Sequence, residues 1–378
     1  MTAFLFVPGE NCGARVNLKR EHFSSCEDEL LICCSRVNLL PKHKQELDAI
    51  LRKPIDWQVV LDKSWWHRVR PLMNRHLSQL DAGLVPQAVL EAFAIQANEL
   101  EQRSCRLMEQ LRNVCTLLSQ AELPVITFKG PTLAMDAFGA LGLRECGDLD
   151  LLIRPQDFRR VRKLLIDHGF ACLWDQLETK HKRQLFACEF RSSAVELDIH
   201  WDLAPPWLNF KVDFEHLWER GEPVFEELPL ARKLQPEDSL EILSMHGSRH
   251  WWDRLRWICD LAELVNSDRI TAWHRFYNKD SESHCVRSVW LGLWLASELL
   301  DAKLPVDILK AIEKSPAVAR MASQVSCWLK EGEAAANNRN LSDRFLFRMR
   351  LCDRWQDRLL QIGSYLRNRP SRSLNWNS

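Results

Sequence analysis

No stretch of this sequence approaches the roughly 20 apolar residues that a bilayer-spanning helix needs, so no membrane partner is expected. The opening stretch MTAFLFVPGENCGARV has no basic residue ahead of its few apolar ones, which excludes it as a signal peptide. Net charge is also missing. Lys and Arg number 51, as do Asp and Glu, which argues against a surface built wholly for nucleic acid. There is no CxxC, and the 13 cysteines are odd in number and scattered, so neither a disulfide framework nor a zinc module is expected. Reduced cysteines packed as small hydrophobes imply a cytoplasmic protein. Only two tyrosines stand against 16 tryptophans, and most of those indoles are expected to be packing residues. Internal repeats and low-complexity segments are absent.

What is present is a chain of 378 residues, long enough for two or three domains with ample core. Hydrophobic content of 46% and charged content of 27% describe an ordinary globular protein. Residues 1–120 read as a helical region, with a stop at Pro54, a restart at Pro71 and one long amphipathic helix over 86–120 striped by Leu100, Leu107, Leu111 and Leu118. At residue 121 the character changes. Val125 to Phe128 is a β-branched run ending in Lys-Gly-Pro, "DLDLLIRP" reads as a second strand, and "PQDFRRVRKLLIDHGF" as a helix ending at Gly169. In "SSAVELDIHWDL", Val195, Leu197, Ile199 and Trp201 alternate with Glu196, Asp198, His200 and Asp202, the pattern of a half-buried strand. From about 235 the pattern is helical again. The expected fold is α/β (α+β): a small mixed-sheet domain over 121–230 between an N-terminal and a C-terminal helical region, the latter spanning 231–378.

The segment "LRECGDLDLLIRP", residues 143–155, places two acids in an apolar strand. Residues i and i+2 of a strand share a face, so Asp148 and Asp150 stand side by side and repel unless something positive lies between them. A divalent cation supplies that charge, and Mg²⁺ characteristically takes one or two carboxylates together with phosphate oxygens. Asp198, on a later strand, can add a third carboxylate, a set that suits two-metal chemistry. Alone, an Asp-X-Asp is commonly a surface strand without function. Its company, a strand ending in "FKG", a helix and a third acid, is what gives it weight.

That order resembles the nucleotidyltransferase superfamily that includes DNA polymerase beta. More closely, the chain resembles an uncharacterised bacterial nucleotidyltransferase family through "FKG" at 128–130, "RECGDLDLLI" at 144–153 and "LDIHW" at 197–201. The helical segments at 55–77 and 245–265 are similar to that family as well. The resemblance implies Asp148 and Asp150 as the metal-binding pair, Asp198 as the third carboxylate, and Gly130 as the turn glycine that lets a triphosphate approach the backbone. It implies Mg²⁺ or Mn²⁺ as cofactor, and a nucleoside triphosphate such as ATP as substrate. Two departures stand out. Gly130 is followed by Pro131, which removes the usual hydroxyl contact to phosphate, and the gap from Gly130 to Asp148 is long.

Further candidates have two readings each. Lys129 either meets phosphate charge or is a solvated strand-end lysine. Arg144 reaches the phosphates or Asp148, or forms a structural salt bridge. His200 holds Asp198, touches substrate or is a buried histidine, and Glu196 is the stand-in third acid. His246 and His250 share a helical face without the Glu of HExxH, which favours cleft contacts or packing over zinc. Arg249, Arg256 and Asp260 lie in the same segment. The Arg-rich tail, nine Arg against three Asp from Arg339 to Arg372, fits a solvated helix face better than a nucleic-acid contact. The expected activity is transfer of a nucleoside monophosphate to an unidentified acceptor, with a small molecule, sugar, peptide or protein favoured over long nucleic acid. A degenerate fold that binds nucleotide or a partner without turnover is the alternative, and Pro131 is its support.

Overall fold

A computed structural model describes residues 23, 25–173, 186–204, 210, 213–277, 285–333, 336 and 338–367. The signal-peptide reading at the start of the chain and the tail arginines Arg369 and Arg372 lie outside the described residues. Among the described residues, no helix is long and apolar enough to cross a membrane.

The chain opens on helices α1 (Cys26–Cys34), α2 (Pro41–Leu51), α3 (Trp57–His67), α4 (Arg70–Leu77) and α5 (Gln87–Gln120). Proline sets two of their starts, Pro41 in α2 and Pro71 in α4, because its fixed φ suits a first turn and its missing N–H is not needed there. Asp56 caps α3, its carboxylate accepting from the Gln58 and Val59 amides. The 34 residues of α5 make a rod of about 51 Å at 1.5 Å per residue.

The sheet then forms from β1 (Val125–Thr127), β2 (Leu149–Leu152), β3 (Ala171–Cys172), β4 (Ala187–Arg191), β5 (Glu196–His200), β6 (Glu222–Pro223) and β7 (Ala231–Lys233), in the spatial order β3-β4-β5-β2-β1-β7-β6. It is mixed: β2 runs parallel to β5 and antiparallel to β1, which is parallel to β7. The α+β class expected from the sequence is the class observed. Strands β3, β4, β6 and β7 extend the sheet beyond the three strands that the sequence pattern showed. Between β1 and β2, helix α6 (Gly130–Leu133) runs into a π turn, Ala134–Phe138. Helices α7 (Phe158–Asp167) and α8 (Phe214–Arg220) complete this part of the chain, and α9 (Pro236–Arg249) and α10 (Leu255–Asn266) follow it. The remaining helices are α11 (Val286–Leu300), α12 (Val306–Glu313), α13 (Pro316–Lys330), α14 (Leu341–Leu351) and α15 (Trp355–Arg367).

Burial explains where polar residues can sit on the strands. Leu149 and Leu151 of β2, with Leu197 and Ile199 of β5, pack with Leu107, Leu111 and Leu118 of α5 and with Val161 and Leu165 of α7. The opposite face carries Leu152, which packs with Phe128, Phe214, Leu217, Ile242 and Met245. Strand alternation puts Asp150, Asp198 and His200 on that second face. A separate, larger core joins Leu72, Met73 and Phe93 from the N-terminal helices to Trp252, Leu261, Leu293 and Met321 from the C-terminal ones. The two helical regions, far apart in sequence, therefore share one core, and residues of both reach the sheet's acidic end.

Candidate functional site

Parallel pairing of β2 with β5 brings Asp150 opposite Asp198 and Leu152 opposite His200. Ligand-capable atoms of Asp150, Asp198 and His200 lie within 4.8 Å of one another. Asp148 stands two residues before Asp150, at the mouth of the strand. The electrostatics confirm that the acids crowd each other. Burial pushes the Asp198 carboxyl up from the usual 3.8 to about 7, and Asp150 and Asp148 push the same way. Asp148 is raised by burial and by Asp150, against the pull of Lys129, Arg256 and Arg68. Burial would raise Asp150 too, but Lys129 and His200 overcome it and hold this carboxylate ionised.

The Lys129 ammonium donates to Asp150 Oδ1 at 3.0 Å, with both side chains nearly buried. It is therefore a counter-ion to the acidic pair rather than a solvated strand end. His200 Nε2 lies 3.3 Å from the same oxygen, yet neither ring nitrogen has a hydrogen-bond partner among the described residues. Phe128 meets the imidazole edge-on at 5.1 Å and Phe186 lies at 6.0 Å. Burial lowers the His200 pKa, with Asp150 opposing, so the ring is neutral and offers a lone pair. A buried ring nitrogen without a partner, beside two carboxylates in register, fits a divalent ion. Carboxylate oxygen suits Mg²⁺, and an imidazole in the set also suits Mn²⁺.

Gly130 sits at the turn after β1 with φ of +59°, a conformation glycine adopts without penalty. A Cβ there would lie 3.3 Å from the Asp148 carbonyl oxygen. Gly130→Ala is expected to destabilise the fold by about 1–2 kcal/mol from the left-handed backbone and to displace the Asp148 segment, measurable as a lower melting temperature together with weaker metal-dependent nucleotide binding. Normal binding in the variant would show that the turn does not position the acids. The hydroxyl nearest after Pro131 is that of Thr132, which donates to the Lys129 carbonyl at 2.7 Å and is buried. It holds the turn closed.

Not every candidate reaches the cleft. Arg144 is 5% exposed and is held by Asp260, Nε to Oδ1 at 2.7 Å and Nη2 to Oδ2 at 2.9 Å, which is the structural salt bridge and not an open phosphate contact. Glu196 pairs with Arg191 at 3.0 Å and does not join the cluster of Asp150, Asp198 and His200. His246 and His250 do share a helical face. Their rings lie 4.6 Å apart and both contact Trp257, and burial together with Lys129 and Arg249 pushes both well below the ordinary histidine range. No third ligand joins them among the described residues.

The cleft wall is cationic. Arg249 stacks on Phe186 at 4.9 Å and feels Asp150 and Asp198, and Arg256 and Arg68 act on Asp148. Arg256 and Asp260 are four apart in α10, so the face that anchors Arg144 also points Arg256 at the acids. The turn before α10 is fixed by Trp252, fully buried, whose ring lies 2.5 Å from where a Cβ on Gly247 would stand. Glycine at 247 is what lets this indole pack. No local pattern in the sequence marks Arg68 or Arg254 as site residues. Arg68 ends α3 in the left-handed conformation, φ 55°, where glycine or asparagine is usual, and nothing in its neighbours marks it.

Two acids in register, a neutral histidine and a cationic wall define a site suited to holding a divalent ion beside a polyanion. The chain belongs to the family described as uncharacterised nucleotidyltransferases, whose model matches residues 53–301, and this supports a nucleotide substrate and a transferase at that level. No curated protein matches the chain.

Proposed function

We propose that this protein is a metal-dependent nucleotidyltransferase of the DNA polymerase beta-like kind, moving a nucleoside monophosphate from an NTP to an acceptor. The observation that carries the reading is the parallel register that sets Asp150 beside Asp198, with Asp148 two residues before and His200 at ligand distance. Asp148, Asp150 and Asp198 would hold Mg²⁺ or Mn²⁺, with His200 as an added donor. A bound ion there supplies charge neutralisation to the triphosphate and to the departing pyrophosphate.

The acceptor oxygen attacks the α-phosphorus, the bond from that phosphorus to the α–β bridging oxygen breaks, and pyrophosphate leaves with the electron pair. The acceptor proton passes to Asp198 or to solvent. Lys129 and Arg249 neutralise charge, and Gly130 lets the phosphates approach the backbone. Catalysis of this kind is mostly positioning and electrostatics. We assign the catalytic unit to residues 121–230, with the helical regions 1–120 and 231–378 as its walls. The neutral formal charge favours a small-molecule, sugar, peptide or protein acceptor over long nucleic acid.

A second reading, a nucleotide- or partner-binding protein without turnover, draws on two observations. Lys129 supplies the acids' counter-charge from within the chain, and Pro131 replaces the turn hydroxyl. Calorimetry with each of the four NTPs, with and without Mg²⁺ or Mn²⁺, separates the readings when followed by labelled-NMP transfer. Saturable metal-dependent binding and pyrophosphate release are expected. Binding without release selects the second reading in its nucleotide-binding form, and no binding under any metal condition overturns the enzyme reading and leaves a degenerate fold serving a partner.

A further inference from the structure

Arg68 and Arg256 lie beside Asp148, and Arg254 neighbours both of them; Asp253 and Glu145 act on this group only at a distance, without a salt bridge among the described residues. Arg68 comes from the end of α3 and Arg254 and Arg256 from the start of α10. Among the described residues none of the three makes an ion pair or hydrogen bond through its guanidinium. Arg254 lies over the Trp66 ring at 4.2 Å, and Arg256 Nε is buried without a partner. Arg68 reaches solvent, yet desolvation by the surrounding protein, and then its neighbours Arg256 and Arg254, lower it to about 10, with Glu145 and Asp148 pulling the other way. Like charges are thus collected where each raises the cost of the next.

The backbone supports that collection. Arg68 itself has positive φ, 55°, and Trp251 and Trp252, at 55° and 54°, immediately precede the segment that carries Arg254 and Arg256. Such conformations in non-glycine residues cost about 1–3 kcal/mol each and persist where the surroundings impose them. Arg70, close by, differs in being neutralised by Glu145 at 2.7 Å, and Arg103 in donating to the Gly147 carbonyl at 2.8 Å. A direct partner, an acid for Arg70 and a carbonyl for Arg103, is therefore supplied around the pocket, while Arg68, Arg254 and Arg256 make no such hydrogen bond among the described residues.

The turn beside the acids needs what these arginines offer. Pro131 carries no hydroxyl, Thr132 is spent on the Lys129 carbonyl and Lys129 on Asp150. The turn's own side chains leave a phosphate chain few donors. Guanidinium groups give several donors in a fixed fork that matches phosphate oxygens.

We propose that Arg68, Arg254 and Arg256 form a polyphosphate-binding pocket, built by the two helical regions, that replaces the missing turn hydroxyl and holds the terminal phosphates of the substrate. The identity of that substrate rests on the nucleotidyltransferase reading, whereas the existence of the pocket does not. Inorganic tripolyphosphate, titrated by calorimetry in EDTA, tests the pocket alone. Wild type is expected to bind it saturably, and Arg68→Gln and Arg256→Gln each to weaken it by about 10-fold or more, in line with loss of a charge-assisted contact. Exposed Arg159→Gln on α7 serves as the control and should bind as wild type does. Asp150→Asn should keep metal-free tripolyphosphate binding while losing metal-dependent NTP binding, so failure of the pocket and failure of the enzyme reading give different results. NTP should compete with tripolyphosphate in the wild type. Should Arg256→Gln not fold, exposed Arg68→Gln decides. Absence of saturable tripolyphosphate binding, undiminished binding in folded Arg68→Gln, or no competition by NTP would overturn the proposal.

Discussion

Asp150→Asn is expected to abolish metal-dependent NTP binding and to lower NMP transfer by about 10³-fold or more, roughly 4 kcal/mol of transition-state stabilisation, while the protein stays folded. Asp150 is the group at which the site's interactions converge: Lys129 at 3.0 Å, His200 at 3.3 Å, Asp198 directly opposite. Asparagine keeps the shape and can still accept from Lys129, so the buried ammonium is not abandoned. What is lost is one negative charge, and that has a second consequence. Asp198 is raised to about 7 by burial first and by Asp150 next. A carboxyl whose folded pKa exceeds its unfolded value lends stability below the unfolded value, near 4, and loses it as pH rises through the folded one. In EDTA, the Asp198 contribution therefore falls between about pH 4 and 7 in wild type, and the fall should be smaller in Asp150→Asn. Thermal melts across that range, wild type against variant, are the measurement. Equal slopes would mean that the carboxylates do not feel each other, and with that the metal-site argument would lose its electrostatic support.

The acids could be read from the sequence because strand alternation is a local rule. Asp148, Asp150 and Asp198 needed only a period of two and an apolar background. Their mutual register did not follow from either strand, since pairing β2 with β5 depends on what lies between them. His200 shows the limit of alternation: expected on a half-solvated face with Asp198, it is buried against Phe128 and near Phe186, rings contributed by other segments. Strands β3 and β6 have two residues each, too short to show any period. The cationic wall was the least legible part. Arg249 and Arg256 stood in a segment that drew notice, but their direction was set by Trp252 and Gly247, whose fit is a tertiary fact. Arg68 required knowing that helices nearly 200 residues apart share one core.

Breaking the Arg144–Asp260 pair is expected to give the largest stability loss in the molecule. Both side chains are nearly buried and joined by two hydrogen bonds, at 2.7 and 2.9 Å. Removing one partner leaves a buried charge alone, which costs about 3–5 kcal/mol, whereas replacing both by apolar groups of similar size is often neutral. Arg144→Met should therefore melt far below wild type, and Arg144→Met/Asp260→Leu should recover most of the loss. The pair also bears on function, because it ties α10 to the segment that leads into Asp148. If Arg144 acts only as this anchor, the refolded double variant should bind NTP within about 3-fold of wild type, less than the cost of one neutral hydrogen bond. If Arg144 also touches phosphate, as the sequence allowed, binding should fall 10-fold or more, beyond that bound, although the fold has recovered. Stability and affinity measured on the same two variants thus separate holding the site from belonging to it. The buried bidentate geometry predicts that Arg144 holds it.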